Sequence, residues 1–148
     1  MNLERHTLLS HFEQQLEDKD DPVKHLLVMT YEFDEQQLLN LMLQHPLSTR
    51  LEATPAHLAS LAELAPVVLY DARKTRETGM LPHFLELLPV KARSHACHHP
   101  KAYLVVTQKS VHLTLGSMNL TATGLFSNRE AYVSFSWSRD HTDDLHLL

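Results

Sequence analysis

Two short apolar segments, Tyr103 to Thr107 and Val111 to Leu115, constrain this chain more than any other feature, because chemically loaded residues bracket them on both sides. His99-Pro100-Lys101 precedes the first, and Gly116-Ser117-Met118-Asn119 follows the second. The segments are rich in β-branched and aromatic residues and read as neighbouring strands, with Gln108-Lys109-Ser110 as the turn between them. Pro100 cannot donate to a sheet ladder, so it belongs at a strand start or on an edge.

Side chains two apart on a strand share a face, which places Lys101 beside His99 and turns Pro100 away. A neutral imidazole can attack phosphorus while a cation and hydrogen-bond donors hold the non-bridging oxygens. His99 is the candidate nucleophile and Lys101 the cation. Gly116-Ser117-Met118-Asn119 would offer a hydroxyl, an amide and exposed backbone N–H groups at a strand-to-helix turn, a favourable place for an anion. Ser117 and Asn119 therefore read as phosphate ligands. A carboxylate that accepts the second imidazole proton would fix the tautomer, and Glu130 is the candidate. His-x-Lys alone is common and Gly-Ser-Asn clusters mostly mark turns. Their order and spacing between apolar strands give them weight.

The stretch from 97 to 135, with His99-x-Lys101, Gly116-Ser117-x-Asn119 and Asn128-Arg129-Glu130, resembles the signature of the phospholipase D superfamily, and of its single-motif nuclease branch in particular. The resemblance implies an α/β fold, a mixed β-sheet flanked by helices on both faces. It implies phosphodiester cleavage without metal or cofactor, through a phosphohistidine on His99, with Glu130 orienting that ring. Val106 stands where the family often has Asp, a departure that bears on subfamily more than on activity. Family chemistry needs two histidines and this chain carries one signature. The second is expected from a homodimer sharing one active site, or from a second motif if residues 1–148 are the N-terminal part of a longer protein. Short single-motif members are typically nucleases, so DNA is the favoured substrate. A catalytically silent module that binds nucleic acid or dimerises, and a phospholipid phosphodiesterase, are the alternatives.

Elsewhere the pattern is that of one α/β domain. Leu8, Leu9, Phe12 and Leu16 predict an amphipathic helix over 4–17, and Val23 to Phe33 a buried strand. Asp34 is placed to cap a helix bearing Leu38, Leu39, Leu41 and Met42, and Thr54-Pro55 starts another that runs to about Leu64. Val67 to Tyr70, Leu85 to Ala92 and Ala131 to Trp137 predict further strands. Gly124 would cap a single helical turn, Asn119 to Thr123. Leu, Met and Tyr clusters in the first half are assigned to the core.

The net charge of -5 argues at first against a nucleic-acid partner, but the distribution is uneven. Nine acidic and three basic side chains fall in residues 1–35, leaving the rest about neutral. Arg73, Lys74, Arg76, Lys91, Arg93 and Lys101 outnumber Asp71, Glu77 and Glu86 on the approach to the motif, a local bias that suits a polyanion. Lys74, Arg76, Arg93 and Lys109 are the candidate contacts to a nucleic-acid backbone. One cysteine, Cys97, and the lack of a long apolar start favour a reducing, cytoplasmic setting. His95, Cys97, His98 and His99 crowd together, yet no second ligand group of metal-binding spacing follows, so no metal site is expected.

Overall fold

The computed structural model describes residues 20–32, 34, 37, 59, 63–64, 66–74, 86–91, 99–121, 123–124 and 130–140. Six strands lie within them: β1 Val23–Thr30, β2 Val67–Asp71, β3 Glu86–Val90, β4 Ala102–Thr107, β5 Ser110–Gly116 and β6 Tyr132–Ser138. They form one mixed sheet in the order β3-β2-β1-β4-β5-β6. β1, β2 and β3 are parallel neighbours, whereas β4, β5 and β6 join antiparallel.

This arrangement follows from connection length. Parallel partners need a long crossover, and the chain spends residues 31–66 between β1 and β2; antiparallel partners accept a tight turn, and two residues join β4 to β5. Pro89 falls inside β3, which is tolerated because β3, paired among the described residues with β2 alone, lies at the edge of the sheet. β1 stops at Thr30, three residues short of the expected Phe33, and the chain then turns towards the motif loops.

Period-two burial builds the core on one face. Leu26, Val28 and Thr30 alternate on β1, Val68 and Tyr70 on β2, and Tyr103, Val105 and Thr107 on β4. Val28 pairs with both Val68 and Tyr103, so all three pack in one row across the sheet. Burying side chains of this size contributes roughly 1.5–3 kcal/mol each. Lys101 precedes β4 in the same phase, and the face that holds the core runs out into the ammonium of the motif.

The helices expected at 4–17 and 38–42 lie outside the described residues, as does most of the one beginning at Thr54-Pro55. Gln37, Ala59, Glu63 and Leu64 are helical. The N–H of Gln37 donates to the Asp34 carbonyl at 3.1 Å, a first turn where a cap was expected. Flanking helices on both faces are thus not established by the described residues, whose helical parts besides these positions are short turns such as the 3-10 turn at Ala72–Lys74. Among the described residues no helix is long and apolar enough to cross a membrane.

Candidate active site

Strand direction gathers the motif. β1, β2, β3 and β5 end, and β4 and β6 begin, on the same rim of the sheet. β2 and β4 flank β1, and the carboxyl end of such a strand is where open α/β sheets form their ligand clefts.

His99 and Lys101 meet on this rim just before β4, as the strand-start reading of Pro100 requires. Lys101 Nζ donates towards the His99 ring, 2.6 Å from Nδ1 and 3.0 Å from Nε2. An ammonium can only donate, so in this contact a ring nitrogen of His99 takes the acceptor role. Lys101 is only 7% exposed, an unusual depth for lysine, whereas the histidine ring is open to solvent. The ring of Tyr31, immediately after β1, lies 5.1 Å from that of His99, tilted by 36°.

Two backbone bonds bring the serine turn to this pair. The N–H of Gly116 donates to the Lys101 carbonyl at 3.1 Å, and that of Ser117 to the Ala131 carbonyl at 3.1 Å. Tyr103 Oη, inside the core, donates to the Met118 carbonyl at 2.9 Å, and Met118 is fully buried. Burial, with the charge of Glu130 adding to it, pushes the Tyr103 phenol far above its ordinary range, so it stays a donor. Leu120 N–H donates to Thr30 Oγ1 at 3.2 Å. Asn119 Oδ1 accepts from Glu32 N–H at 3.4 Å and faces Thr30 Oγ1 at 3.3 Å. Because the Glu32 amide can only donate, the atom facing it is the side-chain oxygen, and the Asn119 NH2 group is turned elsewhere.

The N–H groups of Gly116, Ser117 and Leu120 are engaged within the protein, which narrows the expected anion cradle to the side chains of the turn and the N–H groups of Met118 and Asn119. Thr123 and Gly124 sit inside a wide helical turn, and Gly124 is part of it rather than a cap beyond it. A Cβ on Gly124 would run into the carbonyl of Asn119.

Glu130 is found on Ser117, whose Oγ donates to its Oε2, while Ala131 N–H donates back to that Oγ at 3.2 Å. The reason is local: Ser117 pairs through its backbone with Ala131, which brings the neighbouring carboxylate over the hydroxyl. The expected Glu130 to His99 contact is absent from this arrangement; His99 is held by Lys101 and Tyr31 instead.

Of the expected polyanion contacts, Lys74 reaches the site. Its Nζ stands 5.0 Å from the Tyr31 ring centroid, and Lys101 Nζ lies 5.9 Å from the same point. Lys109, in the β4–β5 turn, is at the opposite end of the sheet, about 20 Å from the motif at ~3.3 Å per strand residue. Arg76, Arg93 and the potential metal ligands His95, Cys97 and His98 lie outside the described residues. Among those described, no three His, Cys, Asp or Glu side chains are grouped to hold a metal ion. Val106 is on the face of β4 opposite Lys101 and some five residues away, so it contributes nothing to the His99 cluster.

Tyr31 and Thr30 were assigned to the core or overlooked, and both line the site. Asp71 is the other missed residue. It is buried, and its carboxylate accepts from the backbone N of Arg73 at 2.9 Å and from Nε and Nη2 of the same residue at 2.8 and 2.9 Å. The readable signal was an Asp closing a strand two residues before Arg, the pattern of a side chain that folds its own turn.

No family model and no curated protein matches this chain. Among solved structures it is similar to yeast tyrosyl-DNA phosphodiesterase, with a TM-score of 0.52 and 11% identity over 78% of this chain. The chain spans about a quarter of that enzyme, 25% of its length. Nuc from Salmonella typhimurium, a phospholipase D family member, aligns with a TM-score of 0.49 and 16% identity, covering 84% of this chain and 73% of its own. NucT from Helicobacter pylori aligns at 0.48 and 15%, covering 83% and 73%. The likeness to the yeast enzyme is one of fold: the mixed sheet described above is shared with that quarter of it.

Proposed function

We propose that this chain is a metal-independent phosphodiesterase of the phospholipase D superfamily, a DNA-cleaving nuclease acting through a phosphohistidine at His99. The observation that supports it most is the convergence of Lys101 Nζ, 2.6 Å from His99 Nδ1, with the Gly116-Ser117-Met118-Asn119 turn bonded to the Lys101 backbone. A cation, an imidazole and a serine-asparagine turn at one rim are the groups that phosphoryl transfer through a histidine requires.

A phosphodiester entering this cleft draws Lys101 Nζ from the imidazole to a non-bridging oxygen, which uncovers the nitrogen lone pair. That nitrogen bonds to phosphorus and the P–O bond to the leaving group breaks. The Ser117 hydroxyl and Asn119 NH2 hold the other oxygens. Ser117 has one proton, so turning it to the phosphate releases the Glu130 carboxylate, which then accepts the remaining imidazole N–H. The leaving oxygen takes its proton from His99 of the partner subunit in a homodimer, or from a second motif in a longer polypeptide. The same base then takes a proton from water, which displaces His99 and regenerates it.

DNA is favoured because the fold is shared with an enzyme whose name places it on a DNA phosphodiester, and because cations crowd this rim. Incubation of the purified chain with plasmid and short single-stranded DNA in excess EDTA, beside His99→Ala, tests the reading. Cleavage in chelator that the variant lacks supports it. Absence of cleavage in every buffer makes the chain a silent binding module, and sedimentation as a strict monomer during turnover removes the shared site.

A further inference from the structure

We propose that Tyr31 and Lys74 form a second phosphate subsite beside the reacting one, so that the site takes a polynucleotide strand rather than an isolated diester. This inference rests on the nuclease reading and specifies its substrate. Two cations from different strands converge on one aromatic ring: Lys74 Nζ at 5.0 Å and Lys101 Nζ at 5.9 Å from the Tyr31 centroid, with His99 against the same ring at 5.1 Å. A cationic rim around one aromatic ring is the kind of surface on which a polyanion is held.

Asp71, three residues before Lys74, is engaged by Arg73 through three nitrogens, a bidentate guanidinium pair that neutralises it. Among the described residues no carboxylate pairs with Lys74. The same Asp71 contacts fold the Ala72–Lys74 turn, which aims the lysine stem at the tyrosine. Asp71 N–H also donates to the Tyr31 carbonyl at 3.3 Å, tying the turn after β2 to the residue that carries the ring. On its other side the Tyr31 loop is fastened by Thr30 and Glu32 to Asn119 and Leu120. The ring and both ammonium groups are thus held before any ligand arrives.

Spacing identifies the ligand. β2 and β4 are the two neighbours of β1, roughly 10 Å apart at about 4.8 Å per strand step. Lys74 approaches the Tyr31 ring from the turn after β2 and Lys101 from the start of β4, on the two flanks of β1; with Lys101 and His99 serving the phosphate under attack, Lys74 is assigned to the next one along a strand. Tyr31 between them offers its face to the intervening sugar or base, the arrangement by which aromatic and cationic side chains track single strands. The strand would run across the sheet rim from β4 towards β3, where Lys91 follows Val90.

The test compares two substrates that differ in phosphate number: bis(p-nitrophenyl) phosphate, which has one, and a short single-stranded oligonucleotide. Lys74→Ala is expected to lower kcat/KM for the oligonucleotide about tenfold more than for the small diester, mainly through KM, with Lys74→Arg restoring most of it. Binding of the oligonucleotide to the His99→Ala chain, followed by fluorescence anisotropy against salt, is expected to lose about 0.7 from its log–log slope when Lys74→Ala is added. Equal losses on both substrates, or an unchanged slope, overturn the subsite. Wild-type chain that cleaves neither substrate while the slope still drops removes the nuclease reading and leaves the subsite standing. Unaltered circular dichroism of Lys74→Ala excludes misfolding as the cause.

Discussion

The Lys101 carbonyl accepts the Gly116 N–H at 3.1 Å, so the residue that supplies the ammonium also anchors the turn that supplies the serine and asparagine. Backbone and side chain of Lys101 therefore do separate work, and a substitution can remove one without the other. Lys101→Met keeps the buried stem and the carbonyl but deletes the charge. It should fold normally and lower kcat by about 10²- to 10³-fold, the usual cost of losing a donor to the charge that develops at a reacting oxygen. Loss of the cooperative thermal transition instead would show that the ammonium is structural.

The Ser117 hydroxyl can serve Glu130 or a phosphate, but not both at once. Ser117→Ala should cost about tenfold in kcat, one hydrogen bond to a charged group. Glu130→Gln should cost more, because its amide oxygen can still accept from Ser117 but the charged carboxylate that receives the imidazole proton afterwards is gone. Steady-state kinetics of both single variants and the double variant check this. A double variant no worse than Glu130→Gln indicates one shared path, whereas fully multiplied losses indicate two independent roles.

Much of this sheet was legible before any coordinates, and the reasons are local. Val23 to Phe33 and Tyr103 to Thr107 are apolar and partly β-branched, so the existence of β1 and β4 follows from pattern, although β1 ends at Thr30, before the apolar run does. His99 and Lys101 were expected on one face from their spacing, and they meet. Tyr31 was not legible, because an aromatic at the end of an apolar run looks like core; only the parallel pairing of β1 with β2 brings it under Lys74. The partner of Glu130 was equally hidden, since it depends on Ser117 pairing with Ala131 through the backbone. Sequence spacing cannot show which of two polar groups a carboxylate will meet first.

Gly116 occupies a point where no other side chain fits. A Cβ there would lie 2.5 Å from both the Ala131 carbonyl oxygen and Met118 Sδ, and 2.8 Å from Tyr132 Cβ. Met118 is fully buried and the other two atoms belong to the start of β6, so the flexible thioether alone cannot absorb the clash. Gly116→Ala should destabilise the fold by about 3 kcal/mol, the upper range for overpacking, read as a lowered urea midpoint at unchanged m value. It should also loosen the bond to Lys101, so the residual folded fraction is expected to lose activity. A midpoint within error of wild type would mean that β6 can move aside freely.

At the opposite end of the sheet, Asp21 and His112 should set the acid limit of stability. Burial pushes the Asp21 carboxyl up, but Thr107 Oγ1 at 2.7 Å and Lys109 N–H at 2.7 Å both donate to it, and the Lys109 and His112 charges add to them, holding it below the ordinary carboxylate range. A depressed carboxyl contributes stability above the unfolded value of about 3.9, and the contribution disappears as pH falls through the folded value. Burial holds His112 below its ordinary range, with Asp21 opposing, so the folded chain resists protonating it and loses stability as pH drops from about 6.5. Both terms make acid the weak side. Asp21→Asn should cost about 2 kcal/mol at pH 7 and flatten the decline below pH 4. His112→Gln should flatten the earlier decline, which sets in as pH falls below about 6.5, and leave the later one in place. Urea melts across pH distinguish these two segments, and an Asp21→Asn profile parallel to wild type down to the lowest pH would remove Asp21 from the account.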